Sequence, residues 1–456
     1  TSLPPGEQFA HAHAARPEPG VATVPISSLR TPADVSGPVE KFELTAVSGE
    51  VALASGATVD AWTFDGAIGG VPLTVDVGDV VEATLTNRDV EAGATIHWHG
   101  VDLPAGEDGV AGVTQDAVMP GESFRYRFVA EHAGTYWYHT HQVSADGVRR
   151  GLYGTLVVEP PGGVPEDVDL VVPMHTFDGL SVFGASDVPQ SREVTPGAAV
   201  RLRIVNTDDL PLFAQLDGVP FRVVAVDGRD LEGGGEVEGR SIRVPAGGRV
   251  DLSFAMPATP VSLWRDGSAG VGLVLAPEGD DATALLADAA PAAATELDLV
   301  TYASTGMPFP DAVRHGEAVL VLDRMPRILG ALPAYGYTVN GAVAPGIPAI
   351  EVSEGEALAL TVVNRGWETH PMHIHGHHVR VVSRDGVAAT AGLWLDSFDV
   401  QPGEVWVVEL FANNPGIWMA HCHNLPHAAE GMSLGLAYPG VSSEFQSGGA
   451  HGNRPE

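Results

Sequence analysis

Three segments of the chain repeat one pattern of apolar and polar positions. They are TVDVGDVVEATLTN (74–87), EVTPGAAVRLRIVN (193–206) and EVSEGEALALTVVN (351–364), which align without gaps, with glycine fifth and asparagine last. Apolar and polar residues alternate after the glycine, and a period of two is typical of a strand with one buried face. Each copy is therefore predicted to form a strand, a turn and a second strand.

A second hairpin-like element follows each copy, with the sequences VMPGESFRYRF, VPAGGRVDLSF and VQPGEVWVVEL. Many short strands, frequent turns and little helical periodicity favour an all-β fold of three consecutive Greek-key β-sandwich domains. The boundaries are expected after VVEPPGG and in the alanine-rich stretch 280–298, which could instead hold a short helix. We expect a loose segment at 1–35, domains at 36–163, 164–297 and 298–442, and a loose tail at 443–456.

Composition excludes several classes of function. The chain has 456 residues, which suits about three domains, and 24 Lys and Arg against 58 Asp and Glu give a net charge of −34. Binding to nucleic acid or to an anionic membrane is therefore not expected, and no apolar run approaches the roughly 18 residues that span a bilayer. The single cysteine excludes an internal disulfide. A start at Thr1 suggests a removed leader or a trimmed chain, so export is an expectation that the sequence does not show.

Paired histidines occur in the first and third copies of the repeat and not in the second. HWHG (97–100) and HIHG (373–376) correspond to QLDG in the middle copy, while YHTH (138–141) and AHCH (420–423) correspond to WRDG. Residues two apart on a strand share one face, so each pair offers two imidazoles on the same side. If domains one and three pack together, eight imidazoles can converge in one pocket, more than one first-row ion accepts. Three copper ions would use them all, whereas zinc has no redox role. The eight are His97, His99, His139, His141, His373, His375, His421 and His423.

The same alternation separates Cys422 from its two histidine neighbours. With His421 and His423 facing the pocket, Cys422 faces the opposite side, where it can join His370, His427 and Met432. Two histidines, a thiolate and a weak axial methionine form a blue-copper electron-transfer site. The alternative for Met432 is a methionine that fills a gap in the core. An electron at such a copper would need to cross only the thiolate and the adjacent backbone to reach the histidine pocket.

Taken together, HWHG, YHTH, HPMHIHG and HCHNLPHAAEGM, with the repeats from about residue 40 to 440, give a chain that resembles a three-domain multicopper oxidase of the laccase type. The resemblance implies cupredoxin-like domains and four copper ions per chain: one type 1, one type 2 and a type 3 pair. The type 1 copper would be held by His370, Cys422, His427 and Met432, and the type 2 copper by His97 and His373. One type 3 copper would take His99, His139 and His423, and the other His141, His375 and His421.

The resemblance also implies a reaction and a set of alternatives. It implies a monomer that oxidises small-molecule donors such as phenols or aromatic amines at the type 1 copper, with His427 nearest the donor, and reduces O₂ to water at the other three ions. Metal (cuprous) oxidation in copper tolerance would be favoured by a methionine-rich insert, but the eight methionines are scattered. Bilirubin oxidation remains open, a copper nitrite reductase lacks the eight cluster histidines, and a copper carrier needs no oxygen pocket.

Reduction of O₂ also consumes protons, and the sequence offers two candidate donors. Many relatives carry a carboxylate directly after the histidine that matches His427, where this chain has Ala428. Glu430 could substitute, and Asp108 matches an acidic residue near the type 2 copper of relatives. The alternative for Asp108 is a turn aspartate beside Gly109. We expect Asp108 to be the main proton donor or to orient copper-bound water, with Glu430 secondary.

The remaining histidines are not expected to bind metal. His377 and His378 are expected around the ligands or at the surface. The others are expected to be ordinary residues or bystanders in loose ends, namely His11, His13, His132, His175, His315 and His451.

Overall fold

The structure is a computed structural model that describes residues 23–268, 270–279, 282–287, 295–329, 332–390 and 392–456. The predicted bystanders His11 and His13 lie outside these ranges. Within them the regular secondary structure is almost wholly strand, with only short helices, so the predicted all-β fold is confirmed. The strands form successive pairs of sheets, and we call these pairs the first unit (39–159), the middle unit (168–296) and the third unit (314–442). The domain boundaries expected from the sequence remain predictions.

The first unit contains two four-stranded sheets. Its strands follow the short strand β1 (Val24–Pro25) and are β2 (Val39–Ala52), β3 (Thr58–Phe64), β4 (Leu73–Asp76), β5 (Val80–Asn87), β6 (His97–His99), β7 (Ser123–Val129), β8 (Gly134–His139) and β9 (Tyr153–Glu159). The sheet orders are β3-β2-β5-β7 and β4-β9-β8-β6. Helix α1 (Ser144–Arg149) lies between β8 and β9, and single 3-10 turns occur at Ile26–Ser28 and Ala105–Glu107.

The middle unit contains two six-stranded sheets. Its strands are β10 (Val168–Phe177), β11 (Leu180–Phe183), β12 (Gln190–Glu193), β13 (Ala199–Asn206), β14 (Leu212–Asp217), β15 (Arg222–Val226), β16 (Arg229–Asp230), β17 (Arg240–Val244), β18 (Arg249–Ala255), β19 (Val261–Arg265), β20 (Leu273–Ala276) and β21 (Thr295–Glu296). The sheet orders are β11-β10-β13-β18-β15-β16 and β12-β20-β19-β14-β17-β21. The alanine-rich stretch, parts of which lie outside the described residues, includes the short helix α2 (Ala284–Ala287), and helix α3 (Leu299–Tyr302) follows it.

The third unit contains a seven-stranded and a five-stranded sheet. Its strands are β22 (Arg314–Leu329), β23 (Leu332–Val339), β24 (Ile350–Glu351), β25 (Glu356–Asn364), β26 (His370–Ile374), β27 (Val379–Arg384), β28 (Val387–Ala388), β29 (Trp394–Leu395), β30 (Ser397–Val400), β31 (Val405–Phe411), β32 (Ile417–Cys422) and β33 (Ser433–Ala437). The orders are β23-β22-β25-β31-β27-β28, with β29 paired to β27, and β24-β33-β32-β26-β30. Helix α4 (Leu425–Ala429) follows β32, and β34 (Val441–Ser442) pairs with β1. Among the residues that the structure describes, no helix is long and apolar enough to cross a bilayer.

The last asparagine of each repeat links the two repeated elements. It ends β5, β13 or β25, where it is buried. Its side-chain amide donates a hydrogen bond of 2.8–3.0 Å to the carbonyl of the valine that opens the second element, in the pairs Asn87 with Val118, Asn206 with Val244 and Asn364 with Val400. A buried amide that donates to a fixed carbonyl holds two turns in register. This shared bond gives a physical reason for the shared asparagine.

Both ends of the described chain differ from the loose segments expected from the sequence. Ile26 is buried in the core, and β1 pairs in parallel with β34. Asn453 is also buried: its side chain accepts a hydrogen bond from the backbone N–H of Ala117 at 2.8 Å and donates to the carboxylate of Asp116 at 2.7 Å. These bonds hold residues 443–456 against the first unit.

Candidate metal centres

Four short strands place the paired histidines where the first and third units meet. In the first unit, β6 and β8 pair so that His97 lies opposite His139, and β26 and β32 pair in the same way in the third unit. Imidazoles from the two units stack, with ring centroids 3.8 Å apart for His97 and His375 and for His99 and His373. All eight paired histidines are buried. The structure therefore brings the four pairs into one interior pocket.

Hydrogen bonds fix which ring nitrogen of most of these histidines carries the proton. Nδ1 lies 2.8–3.2 Å from a backbone carbonyl oxygen in five of them: His97 to Asp108, His139 to Thr140, His141 to Pro455, His373 to Asp396 and His421 to Cys422. A carbonyl only accepts, so Nδ1 donates and Nε2 keeps a lone pair. His375 follows the same pattern, with Nδ1 3.0 Å from the Asp108 carboxylate. His99 is reversed, because its Nε2 lies 3.2 Å from the Asp396 carboxylate and Nδ1 keeps the lone pair.

The ring nitrogens that keep lone pairs form a donor set without protein partners. Nε2 of His375 and Nε2 of His421 lie 3.2 Å apart, although both are left unprotonated by the bonds at Nδ1. Two lone pairs at this distance repel each other unless a cation lies between them, and a buried unpaired nitrogen costs free energy. These residues therefore fit bound metal ions. Within the eight paired histidines, the buried ring nitrogens with no hydrogen-bond partner are Nε2 of His97, His139, His141 and His373, Nδ1 of His99 and both nitrogens of His423.

Several triplets of donor atoms are close enough to share one ion. Within each triplet the atoms lie within 4.8 Å of one another, and the histidine triplets are His97/His373/His375, His97/His99/His139 and His141/His375/His421. The last is one of the three-histidine sets that the resemblance implies. His423 lies near the other implied set, with its ring centroid 5.0 Å from that of His99 and 5.4 Å from that of His139.

Burial favours the neutral form of seven of the eight paired imidazoles. Loss of solvent, reinforced by neighbouring imidazoles, lowers the pKa of His99, His139, His141, His375, His421 and His423 well below the usual value. The pKa of His373 is lowered to about 4, again chiefly by burial. Because the neutral imidazole is the form that binds a metal, the pocket is prepared for ligation at neutral pH.

The other candidate centre contains the single cysteine. Sγ of Cys422 lies 3.7 Å from Nδ1 of His370 and 3.7 Å from Nδ1 of His427, and these two nitrogens lie 3.2 Å apart. Met432 is fully buried, and its backbone binds both neighbours: its carbonyl accepts from Cys422 N–H at 3.1 Å and its N–H donates to His427 at 3.0 Å. Burial raises the pKa of the Cys422 thiol well above its ordinary value. A metal ion would be needed to hold this buried group as a thiolate.

Asp108 and Glu430, the two expected proton donors, occupy different environments. Asp108 is buried, and its carboxylate lies 3.1 Å from Nδ1 of His97 and 3.0 Å from Nδ1 of His375. It therefore contacts two candidate ligands and is more than a turn residue. Glu430 is exposed at the end of α4, and its charge acts on the hydroxyl of Tyr337. An exposed carboxylate outside the histidine pocket is poorly placed to relay protons, because the cluster histidines are shielded from solvent.

The segment 443–456 also contributes to the histidine pocket, which its sequence did not indicate. The carbonyl of Pro455 accepts the 2.8 Å hydrogen bond from His141, and Oε1 of Glu456 lies 3.3 Å from Nδ1 of His421. The hydroxyl of Ser144 donates to the other carboxylate oxygen of Glu456 at 2.9 Å. Burial raises the pKa of Glu456 to about 8. This glycine-rich segment has no local sequence pattern that would predict these contacts.

His427 lies beneath an aromatic and charged rim. The ring of Tyr337 stacks on His427 with centroids 3.8 Å apart, and its hydroxyl donates to the carboxylate of Glu368 at 2.8 Å. Arg324 lies over the Tyr337 ring at 5.0 Å and 3.4 Å from Glu368. The neighbouring Trp367 is 66% exposed. An electron donor could thus approach the candidate cysteine centre along a surface that offers aromatic faces and a carboxylate.

The other histidines lie outside the donor sets. His377 and His378 are buried beside the ligands: Nδ1 of His377 contacts the carbonyl of His375 at 3.1 Å, and Nε2 of His378 lies 3.6 Å from Asp396. Each of the remaining described histidines, which are His132, His175, His315 and His451, belongs to none of the triplets.

Comparisons with known proteins match the two segments of the chain that contain the predicted ligands. Two family models described as multicopper oxidase match residues 45–163 and 323–440. These ranges span just over half of the chain and include all twelve predicted ligands. The chain is 27% identical over 449 residues to Laccase-1 of Botryotinia fuckeliana, covering 84% of this chain and 79% of that relative. It is 26% identical over 453 residues to the multicopper oxidase MmcO of Mycobacterium tuberculosis, covering 84% of each. Among solved structures, a multi-copper oxidase from Pseudomonas thermotolerans superposes with a TM-score of 0.72 at 25% identity, covering 88% of this chain and 100% of that one.

Proposed function

Because the chain belongs to the multicopper oxidase family, we propose that it oxidises phenols and aromatic amines at a type 1 copper and reduces O₂ to water at a trinuclear copper cluster. The proposal includes four copper ions per chain. The type 1 ion would be held by His370, Cys422, His427 and Met432. The type 2 ion and the type 3 pair would share the eight paired histidines.

The position of Cys422 carries this proposal. Its sulfur belongs to a set of two histidines and a thiolate, which suits blue copper. Its chain neighbours His421 and His423 belong to the histidine pocket, which has more imidazoles than one ion can use. Copper, when bound, supplies the one-electron redox chemistry at both places. The polypeptide supplies a short covalent link between the cysteine centre, which would accept electrons from the donor, and the histidine pocket, which would transfer them to O₂.

The residues around His427 support small aromatic donors. Glu368 can accept the proton that a phenol releases when it loses an electron, and Trp367 offers an exposed aromatic face. Tyr337 links this rim to the His427 ring by stacking. The methionines do not form a cluster at this rim, and Met307 is the exposed one among those that the structure describes. This favours organic donors over cuprous ions.

The residues around the histidine pocket support a site for O₂. The eight imidazoles are buried, so the space between them is shielded from bulk solvent and added charge there is only weakly screened. Asp108 fixes two rings, because its backbone carbonyl accepts from Nδ1 of His97 at 2.9 Å and its carboxylate accepts from Nδ1 of His375 at 3.0 Å. A carboxylate at this place can also hold a proton beside the pocket.

The test compares oxygen consumption on several donors by protein of measured copper content. We expect about four coppers per chain and faster uptake with phenols and aromatic amines than with Cu(I), Mn(II) or bilirubin. Copper-loaded protein that consumes O₂ faster with Cu(I) than with any phenol would favour the metal-oxidase alternative. Faster O₂ consumption with bilirubin than with any phenol would favour bilirubin oxidation. Protein that binds copper but reduces no O₂ with any donor would favour a copper carrier.

A further inference from the structure

The middle unit contributes no candidate ligand, yet it contacts the histidine pocket. Gly247, in the second repeated element of that unit, has a φ of +80° and lies against two candidate ligands. A Cβ atom at this position would lie 2.8 Å from Cε1 of His99 and 3.0 Å from Cδ2 of His423. Strand β18 begins two residues later, at Arg249. The middle unit is thus close enough to influence the pocket directly.

Arg249 connects all three units from a fully buried position. Its Nη1 and Nη2 groups donate to the two carboxylate oxygens of Asp396, in the third unit, at 2.7 and 2.6 Å. Its Nε group donates to the carbonyl of Thr135, in the first unit, at 3.0 Å. Nη1 also reaches the carbonyl of Gly247 at 3.2 Å. A bidentate guanidinium pair fixes both the position and the plane of its carboxylate.

Asp396 contacts two candidate ligands, one from the first unit and one from the third unit, whose rings stack on each other. Its Oδ1 atom lies 3.2 Å from Nε2 of His99, and the hydroxyl of Ser397 lies 3.1 Å from the same nitrogen. Its backbone carbonyl lies 2.8 Å from Nδ1 of His373. Those contacts select the ring nitrogen that each histidine turns into the pocket. His99 is the reversed histidine described above, and it is reversed because Asp396 faces its Nε2.

Further residues shape a cradle for this pair. Asp227 of the middle unit accepts hydrogen bonds from the backbone N–H groups of Arg249 at 2.9 Å and of Asp396 and Ser397 at 3.1 Å. Gly100, the last residue of HWHG, has a φ of +78°, and a Cβ there would lie 2.3 Å from Nη2 of Arg249 and 2.4 Å from Oδ2 of Asp396. The glycine that follows the first histidine pair therefore makes room for the Arg249–Asp396 pair.

We propose that Arg249 is a positioning residue of the oxygen-reducing centre, acting through Asp396 on His99 and His373. The middle unit thereby controls the orientation and donor strength of ligands that it does not supply. Hydrogen-bond partners behind a ligating histidine raise its basicity and hold its ring, and their loss typically costs 10–100-fold in metal affinity or activity. This inference rests on the proposed copper chemistry of the histidine pocket.

The test replaces Arg249 by Met and by Lys and uses Arg203 as a matched control. Arg203 lies on the adjacent strand β13 and is equally buried, and it binds Asp169 and Asp251 without contacting a candidate ligand. Replacing Arg203 by Met or Lys should disturb folding in a comparable way. The measurements are copper per chain, the electron paramagnetic resonance of type 2 copper, the near-ultraviolet absorption of the coupled pair and the blue absorption of the type 1 copper.

In Arg249→Met we expect the type 2 and coupled-pair signals to be altered or lost, with copper affinity at the histidine pocket reduced roughly 10–100-fold. The blue absorption should remain, because Arg249 touches none of its ligands. Arg249→Lys should recover part of the signals, since an ammonium keeps the charge but not the bidentate geometry. Both Arg203 variants should keep all signals. If Arg249→Met does not fold, the type 2 and coupled-pair signals of Arg249→Lys decide whether the inference holds.

Parental type 2 and coupled-pair signals in the Arg249 variants would overturn the inference. Equal loss of these signals in the Arg203 variants would also overturn it, by showing a general effect of packing. A parent protein that binds no copper would instead refute the proposed function, so the two failures are distinguishable.

Discussion

The backbone carbonyl of Pro455 lies 2.8 Å from Nδ1 of His141, so a residue 314 positions along the chain fixes the ring of a candidate copper ligand. Glu456 extends this contact to His421, at 3.3 Å. Both histidines belong to the triplet completed by His375. The segment 443–456 is therefore part of the wall of the pocket.

Removal of residues 453–456 should impair the histidine pocket and spare the cysteine centre. His141 would lose the acceptor for its Nδ1–H, and reoxidation of the reduced protein by O₂ should slow roughly tenfold or more. Stopped-flow recovery of the blue absorption after mixing with O₂ measures this rate. His451→Ala, in the same segment but remote from the ligands, is the control and should react as the parent does. Equal rates in the truncated and parent proteins would show that the segment only covers the pocket.

Asp108→Asn should slow reoxidation while leaving reduction by the donor fast. Nδ1 of His375 donates to the Asp108 carboxylate at 3.0 Å, whereas Nδ1 of His97 donates to the Asp108 backbone carbonyl, which the substitution leaves in place. An amide offers His375 one neutral oxygen in place of two charged ones, and this weaker contact should cost roughly 10–100-fold in the oxygen reaction. Anaerobic reduction and aerobic reoxidation, followed separately on protein of equal copper content, check this. A parental reoxidation rate would leave Asp108 as a structural residue beside Gly109.

Met432→Leu should raise the reduction potential of the blue copper. If Met432 is the fourth ligand of a type 1 copper, its loss would remove a weak sulfur donor that stabilises the oxidised ion, and such a donor is one of the main controls of the potential. A redox titration of the blue absorption measures the shift, with Met419→Leu as a control at a buried methionine outside the predicted ligand set. An unchanged potential and spectrum in Met432→Leu would mean that this methionine only fills the core.

The apoprotein should lose stability as the pH falls from 6.5 towards 4. Eleven described histidines have a lowered pKa in the fold, chiefly through burial, so the unfolded chain binds protons in this window that the folded chain does not. They are His99, His139, His141, His175, His370, His373, His375, His377, His421, His423 and His427. Five carboxyl groups oppose them because burial raises their pKa, namely Glu107, Asp209, Asp227, Asp399 and Glu456.

The histidines outnumber the opposing carboxyl groups, so the free energy of unfolding should rise with pH across this window. Denaturant unfolding of chelated protein at a series of pH values measures the slope. A flat or falling profile between pH 4 and 6.5 would contradict the burial of these imidazoles in neutral form.

Sequence periodicity was enough to predict the strands and which of the paired residues share a face, since both depend on local spacing. His97 and His99 share one face because strands alternate, and Cys422 opposes His421 for the same reason. Long-range contacts could not be predicted in this way. Arg249 reaches Asp396 across 147 positions of sequence, and nothing near either residue indicates the partner. Glu430 was considered because it is close to His427 along the chain, but the short helix α4 leaves it at the surface.

Cys422→Ser tests the link between the two centres most directly, through copper content, visible absorption and oxygen consumption measured on one preparation. The parent should contain about four coppers, be blue and consume O₂ with a phenol. The variant should lose the blue absorption and the oxygen consumption while it keeps the coppers of the histidine pocket and their near-ultraviolet and paramagnetic signals. A variant that stays blue, or a parent that carries zinc in place of copper, would contradict the assignment of Cys422 as the ligand that joins the two centres.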